Sequence, residues 1–390
     1  MIELPVRAGV TVKQLNKHGE ELCGDTVKVK KTSDAVIVVL SDGLGSGVKA
    51  RILSSLTCEI IVTLFEQGID LKETVHTLAK TLPVCKVRGI AYSTFTICIV
   101  SEDGEVRLIN YDGPPPVIVK RCRLIDPRTL GVYRNIEDRK ILDVRFNADP
   151  GDVIFMMSDG VLHAGLGNLM NFGWGWENVA EYLRKAFVKY DSSRKVVETV
   201  MELTNNYYAS QPGDDSTLVG IRIKEKKNLV VFTGPPLDPV MDSYVVNRFL
   251  SHKDAAKVVC GGTTGNIVAR ELGRKIEVDL STTLDDVPPI GKLNGVDLVT
   301  EGVLTLKKVI VIFKEHGMDV ESIPRGRDGA TLMARMLAES EEITLMVGQR
   351  INPFYQNPSL PFDMSVRYNL ITELVSLLEK AGKKVTVEYF

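Results

Sequence analysis

The sequence lacks several features that would narrow its function at once. Its formal net charge is only -2, from 48 basic and 50 acidic residues, so it carries no electrostatic footprint for nucleic acid or an anionic membrane. No apolar run approaches the ~20 residues that a membrane-spanning helix needs. The opening stretch MIELPVRAG has neither the basic start nor the long apolar segment of a signal peptide. The six cysteines (Cys23, Cys58, Cys85, Cys98, Cys122 and Cys260) include no C-x-x-C spacing. Several sit inside apolar runs, so they read as small buried residues in a reducing cytoplasm. Heptads and low-complexity segments are also absent. These absences lead us to expect a cytoplasmic protein with no nucleic-acid and no membrane partner.

What is present is an ordinary globular composition over 390 residues, enough for two or three domains with sizeable cores. The first clear strand is AVIVVL from Ala35 to Leu40. Two helices follow: one over Lys49 to Gln67, with Leu53, Leu56, Ile60 and Leu64 as its apolar face, and one with Leu71, Val75, Leu78 and Leu82, stopped by Pro83. The runs STFTICIV, EVRLINY, PPVIVKR, ILDVRF and DVIFMMS, separated by turn residues, predict an antiparallel meander. The helices WENVAEYLRKAFVKY and SRKVVETVMELTNNYYA come next, and DSTLVGIRI closes the region as a strand. The charged stretch KEKKN, Lys224 to Asn228, suits a linker. Beyond it, strands alternate with helices, which predicts a doubly wound α/β domain. The expected domains are therefore 1–224 and 229–390.

Two segments repeat one arrangement, an unbroken apolar run followed by Ser-Asp-Gly: VIVVLSDGLGSG, with Asp42, and VIFMMSDGVLHAG, with Asp159. Aspartate is depleted in strands, and a carboxylate at the end of a buried strand must be paired or metal-bound. The glycine after each, Gly43 and Gly160, is expected to free the backbone for a tight turn and expose a carbonyl. Asp25 in LCGDTVKV and Asp214 in QPGDDSTLV, with Asp215 beside it, have similar settings. Singly, each is explained as a helix N-cap or a turn residue. Together they would make an all-oxygen site, and hard oxygen ligands select Mg²⁺ or Mn²⁺ over Zn²⁺ or Cu²⁺. Two such ions about 3.5–4 Å apart relieve the crowding of carboxylates, make a water nucleophilic and clamp a phosphoryl group. His163, just past the second motif, reads as a rim or core histidine rather than an acid–base group.

The set G-D, S-D-G-x-G-x-G-x-x-A, P-G-D-x-apolar-S-D-G-V and D-D-x-T resembles the metal-dependent protein phosphatases of the 2C family, in the bacterial branch around stage II sporulation protein E. LSDGLGSGVKA and ADPGDVIFMMSDGVLHA are the most specific stretches, and the likeness covers roughly residues 1–224. It implies an α-β-β-α sandwich, two Mn²⁺ or Mg²⁺ ions, and hydrolysis of phosphoserine and phosphothreonine on a protein by a metal-activated water. By that resemblance Asp42 and Asp159 are the catalytic pair. Asp42 bridges the ions, Asp25 and the Gly43 carbonyl complete one, and Asp159 and Asp214 hold the other, with Asp215 and Thr217 fixing the loop. The substrate class it suggests is a phosphorylated regulator such as an anti-sigma-factor antagonist, and the paired helices after the first motif act there as a regulatory switch. Two departures stand out. KHGEEL occupies the stretch where animal relatives carry a phosphate-gripping arginine, and INYDGPPP replaces N-A-G-H-x-P.

In the second half, VVCGGTTGNIVAREL offers a glycine-rich strand-to-helix loop, and FTGPP and VDLVTEG are further strand exits on the side where open α/β sheets bind ligands. A small ligand or a partner is expected there, with a regulatory role, and the composition is compatible with a homodimer. Two other readings compete with a phosphatase: a catalytically silent signalling module that keeps the fold, and a nucleotide-dependent enzyme centred on GGTTGN.

Overall fold

The computed structural model describes residues 5–32, 34–82, 93–166, 171–282, 289–350 and 363–390. Cys85 and Pro83, both used above, lie outside them. The chain divides into two compact units, Met1–Glu225 and Lys226–Phe390.

The first unit runs β1 (Val6–Leu15), β2 (Thr26–Lys31), β3 (Ala35–Gly43), α1 (Gly47–Glu66), α2 (Leu71–Thr81), β4 (Ser93–Ser101), β5 (Glu105–Tyr111), β6 (Val117–Lys120), β7 (Arg123–Ile125), β8 (Val132–Ile136), β9 (Arg139–Asn147), β10 (Val153–Met157), α3 (Asp159–Leu162), α4 (Trp176–Tyr190), α5 (Ser193–Tyr207) and β11 (Ser216–Glu225). Its strands form two antiparallel sheets, ordered β1-β11-β10-β6-β7 and β2-β3-β4-β5-β9-β8. The inner faces pack on each other through residues such as Val38, Leu40, Leu108, Ile154, Met156 and Val219. The outer face of the five-stranded sheet is covered by α4 and α5, and that of the six-stranded sheet by α1 and α2. This is the α-β-β-α sandwich.

The layering explains the unbroken apolar runs. Along β10, Ile154 and Met156 enter the central core while Val153, Phe155 and Met157 enter the helix-covered one. A strand covered on both faces has no polar side, so the period-2 alternation vanishes.

The apolar face expected for α1 is buried only in part: Leu53, Ile60 and Leu64 are half-buried, and Ile60 packs on the core. The helix buries Ala50, Ser54, Thr57, Cys58, Ile61 and Val62, whereas Leu56, with Val48 and Ile52, is exposed. The helix lies so close to the sheet that a Cβ on Gly43 would stand 2.1 Å from the Ala50 carbonyl oxygen. Small side chains line the close end of that seam, at Ala50 and Ser54, and the larger Ile61 and Val62 are buried further along the helix. For α2 the expected face, Leu71, Val75, Leu78 and Leu82, is buried. Cys23, Cys58, Cys98 and Cys260 are buried free thiols, but Cys122 is exposed, in a turn where its φ is 64°.

The second unit runs β12 (Asn228–Thr233), α6 (Asp242–Leu250), β13 (Ala255–Cys260), α7 (Gly262–Glu271), β14 (Glu277–Asp279), β15 (Ile290–Leu293), β16 (Val296–Thr300), α8 (Val303–His316), α9 (Gly329–Glu339), β17 (Glu342–Val347), α10 (Asp363–Lys380) and β18 (Lys384–Tyr389). Its sheet is ordered β14-β15-β16-β13-β12-β17-β18. The five strands from β16 to β18 are parallel, and β14 and β15 add an antiparallel edge. Helices α6 and α7 cover one face and α8, α9 and α10 the other, so the unit is doubly wound. Thr233, Cys260 and Thr300 end neighbouring strands in register, which brings the three strand-exit loops to one edge. The KEKKN stretch is less of a linker than its charge suggests, because β11 extends to Glu225 and β12 starts at Asn228. Among the described residues no helix is long and apolar enough to cross a membrane.

Candidate metal centre

Four acidic positions reach one end of the sandwich because strand ends meet there. Strand β3 ends in Asp42 and Gly43. Register Thr26↔Ser41 sets Asp25, just before β2, beside that end. Register Met157↔Leu218 between antiparallel β10 and β11 puts the exit of one strand next to the entry of the other, so Asp159 and Asp214 meet. Asp159, His163 and Asp214 each present a ligand atom within 4.8 Å of the other two. Asp25 and Asp42 lie outside that triad but within electrostatic reach of it. The charges of Asp25, Asp159 and Asp214 all act on Asp42, and those of Asp215 and Asp159 act on Asp25.

Burial and this crowding hold protons on the carboxylates. Burial first, and then the charges of Asp25, Asp159 and Asp214, push Asp42 up to about 9. Burial raises Asp25 to about 6, against the pull of the Thr217 hydroxyl. Asp214 is also raised, by burial and by Asp159, while Lys17 lowers it.

These residues fit a cation. Asp25 is fully buried and its Oδ1 has no hydrogen-bond partner, although a buried carboxylate oxygen ordinarily finds one. Its other oxygen, Oδ2, accepts a 2.7 Å hydrogen bond from the Thr217 hydroxyl, and that hydroxyl accepts 3.0 Å from Gln14 Nε2. Asp215 turns away from the cluster, and its oxygens accept from the backbone N–H of Lys17 and of Gly24, both at 2.9 Å. Asp215 thereby ties the loop carrying Asp25 to the start of β11.

The glycines act differently from the tight turns expected of them. Neither Gly43 nor Gly160 has a positive φ. What requires glycine is close approach: a Cβ on Gly160 would stand 2.1 Å from the Asp215 carbonyl oxygen, and one on Gly43 equally near Ala50. Sequence reading set His163 aside, and its signal was spacing, four residues after Asp159 at a helical turn.

Two expected outcomes follow. Thr217→Val removes the hydroxyl that aims Asp25, and Mn²⁺ affinity falls roughly 10–100-fold, the usual effect of losing an outer-shell partner. Titration calorimetry checks this, and unchanged affinity contradicts it. The second concerns pH. A carboxyl raised above its unfolded value of 3.8 supports the fold fully only below that value. Its contribution is lost as pH rises through the folded values, about 6 for Asp25 and about 9 for Asp42. The melting temperature of chelator-treated protein therefore falls between about pH 5 and pH 8.5, whereas saturating Mn²⁺ flattens the decline because cations replace protons. A metal-free melting temperature that rises over this range contradicts the assignment.

Comparison with known proteins places the first unit. Residues 32–224 match the family model of stage II sporulation protein E (SpoIIE). The stage II sporulation protein E of Bacillus subtilis (strain 168) is 24% identical over 213 residues, which are 53% of this chain and 24% of that protein. The match thus spans about a quarter of the relative's length. The solved phosphatase domain of SpoIIE from Bacillus subtilis, in a crystal form without domain swapping, is 20% identical, with a TM-score of 0.44 over 57% of this chain and 94% of its own. The RsbU and RsbW domains of Rv1364c from Mycobacterium tuberculosis are 17% identical, with a TM-score of 0.45 over 64% of this chain and 68% of theirs.

Proposed function

We propose, for a chain whose residues 32–224 match the family model of stage II sporulation protein E, that this protein is a metal-dependent phosphatase of the 2C type that hydrolyses phosphoserine and phosphothreonine on a regulatory protein. The observation that carries the reading is the fully buried Asp25, one oxygen unpartnered, whose charge acts together with those of Asp159 and Asp214 on Asp42. An acidic cluster of this kind is stable in ionised form only around cations.

Asp42 would be a ligand shared by the two divalent ions, Mn²⁺ or Mg²⁺. Asp25 and the Gly43 carbonyl would hold one, and Asp159 and Asp214 the other. When bound, the ions supply Lewis acidity that makes water nucleophilic and neutralises charge on the phosphoryl oxygens. The chain itself contributes orientation. Thr217 and Gln14 fix Asp25, and Asp215 fixes the loop that carries it. Lys17, whose charge acts on Asp214, stands in the KHGEEL stretch and is the candidate cation for the phosphate. Lys17→Ala is expected to raise KM for a phosphopeptide about tenfold with a smaller change in kcat, the pattern of lost ground-state binding. Steady-state kinetics check it, and an unchanged KM removes Lys17 from the site.

The substrate fits a small phosphorylated regulator of the anti-sigma-antagonist kind, with residues 229–390 as a regulatory unit whose strand-exit edge takes a ligand or partner. The deciding experiment is hydrolysis of p-nitrophenyl phosphate and a phosphoserine peptide with Mn²⁺, with Mg²⁺ and with EDTA. Activity that requires the metal supports the proposal. Metal-independent hydrolysis overturns it, and absence of hydrolysis with either ion favours the silent-module alternative.

A further inference from the structure

The likeness that points to metals supplies only oxygen ligands, yet the geometry brings a nitrogen to the same place. Asp159 opens the single turn of α3 and His163 closes it, their backbones joined by a 3.0 Å hydrogen bond from the His163 N–H to the Asp159 carbonyl. Residues four apart on a helical turn present their side chains to one side. His163 Nδ1 stands 3.9 Å from Asp159 Oδ2, too far for a hydrogen bond. With Asp214, the three ligand atoms lie within 4.8 Å of one another. Two donors that share an ion at roughly 2.1 Å each stand about 3 Å apart when adjacent and about 4.2 Å apart when opposite, so small rotations close this triad. Both side chains are about half exposed, 50% and 45%, so the imidazole reaches the carboxylates from the solvent side. The buried, unpartnered Oδ1 of Asp25 independently marks this end of the sandwich as built for a cation.

We propose that His163 is a nitrogen ligand of the ion held by Asp159 and Asp214, and that it makes this position select Mn²⁺ over Mg²⁺. Imidazole is a poor partner for Mg²⁺ and a good one for first-row transition ions, so one histidine among carboxylates biases the choice without raising the charge of the cluster. The inference rests on the metal-centre reading above and goes beyond it in assigning a ligand and a selectivity.

The test uses the full chain loaded with Mn²⁺ and electron spin echo spectroscopy, which detects a directly bound imidazole nitrogen without reference to activity. The expected result is ¹⁴N modulation that changes to the ¹⁵N pattern when histidine is ¹⁵N-labelled. It is absent in His163→Ala and His163→Gln, and it persists when His18 or His76, the other two histidines of the first unit, is replaced. In both His163 variants the ratio of Mg²⁺ to Mn²⁺ dissociation constants falls by about tenfold, with melting temperature near that of the parent because the side chain is on the surface. Mn²⁺ binding that Asp159→Asn abolishes but that shows no nitrogen modulation overturns this inference and leaves the metal centre standing. Modulation that survives in His163→Ala overturns it as well. Failure of Mn²⁺ to bind the parent chain overturns both.

Discussion

Asp42→Asn is expected to lower metal-dependent phosphoester hydrolysis by at least ~10³-fold and, at the same time, to raise the melting temperature of the metal-free protein. The two effects have one cause. Asp42 is the position where burial and the charges of Asp25, Asp159 and Asp214 act together, which drives its carboxyl up to about 9. Asparagine has nearly the same shape but brings no negative charge to share between cations, so the electrostatic stabilisation of the transition state is lost; single preorganised electrostatic contacts are worth about 10²–10³ on their own, and the loss of a bridging ligand removes more than one. The stability change has the opposite sign. At neutral pH the unfolded chain carries an ionised Asp42, with an ordinary value of 3.8, and folding without metal must take up a proton. Asparagine removes that cost, so the metal-free variant melts a few degrees higher and its melting temperature depends less on pH. Parallel activity assays and thermal melts in chelator check both effects. A variant that keeps its activity, or one that loses activity by melting lower, contradicts the assignment of Asp42 to a bridging site.

Gly160→Ala is expected to be strongly damaging although it adds a single methyl group. Its Cβ would stand 2.1 Å from the Asp215 carbonyl oxygen and 2.6 Å from the Ser216 hydroxyl, well inside van der Waals contact, and the nearest obstacle is backbone that cannot rotate away. The strain has to be relieved by parting α3 from the start of β11, with a cost of roughly 1–3 kcal/mol or somewhat more. For a unit of this size that corresponds to a fall of about 5–10 °C in melting temperature. The same movement separates Asp159 from Asp214, which stand on the two segments being forced apart, so Mn²⁺ affinity falls more than tenfold. Thermal melts and calorimetric titration decide the matter. A variant that melts and binds Mn²⁺ like the parent shows that the close approach is not needed. Gly45 provides the control, because a Cβ there meets nothing within 4 Å, although its φ of 101° leaves a smaller conformational penalty of its own.

The legibility of the chain followed its local physics. Apolar runs closed by Ser-Asp-Gly marked β3 and β10, and the apolar spacing of α2, α4 and α5 was plain, because each of these elements buries large side chains on a surface that its own sequence announces. Strand β1 went unnoticed: VRAGVTVKQL mixes charge, glycine and apolar residues, and it becomes a strand by pairing along its whole length with β11, more than 200 residues away. The buried face of α1 is only partly legible for a related reason. Its seam is lined by Ala50, Ser54, Thr57 and Cys58, residues that look neutral until a neighbouring backbone comes close enough to exclude anything larger. His163 carries no signal in the sequence because a lone histidine has no meaning without its neighbours, and one of them, Asp214, lies 51 residues on.

The sequence by itself determined the layered α/β character of both halves and the identity of the acidic residues at strand ends. Hydrophobic periodicity and the cost of an unpaired buried charge act residue by residue and can be read without coordinates. Only the tertiary structure decided which oxygen of Asp25 is left without a partner, why Gly43 and Gly160 must lack a side chain, and that an imidazole joins Asp159 and Asp214. Those properties depend on distances between segments brought together by strand register, and a linear order of residues does not contain them.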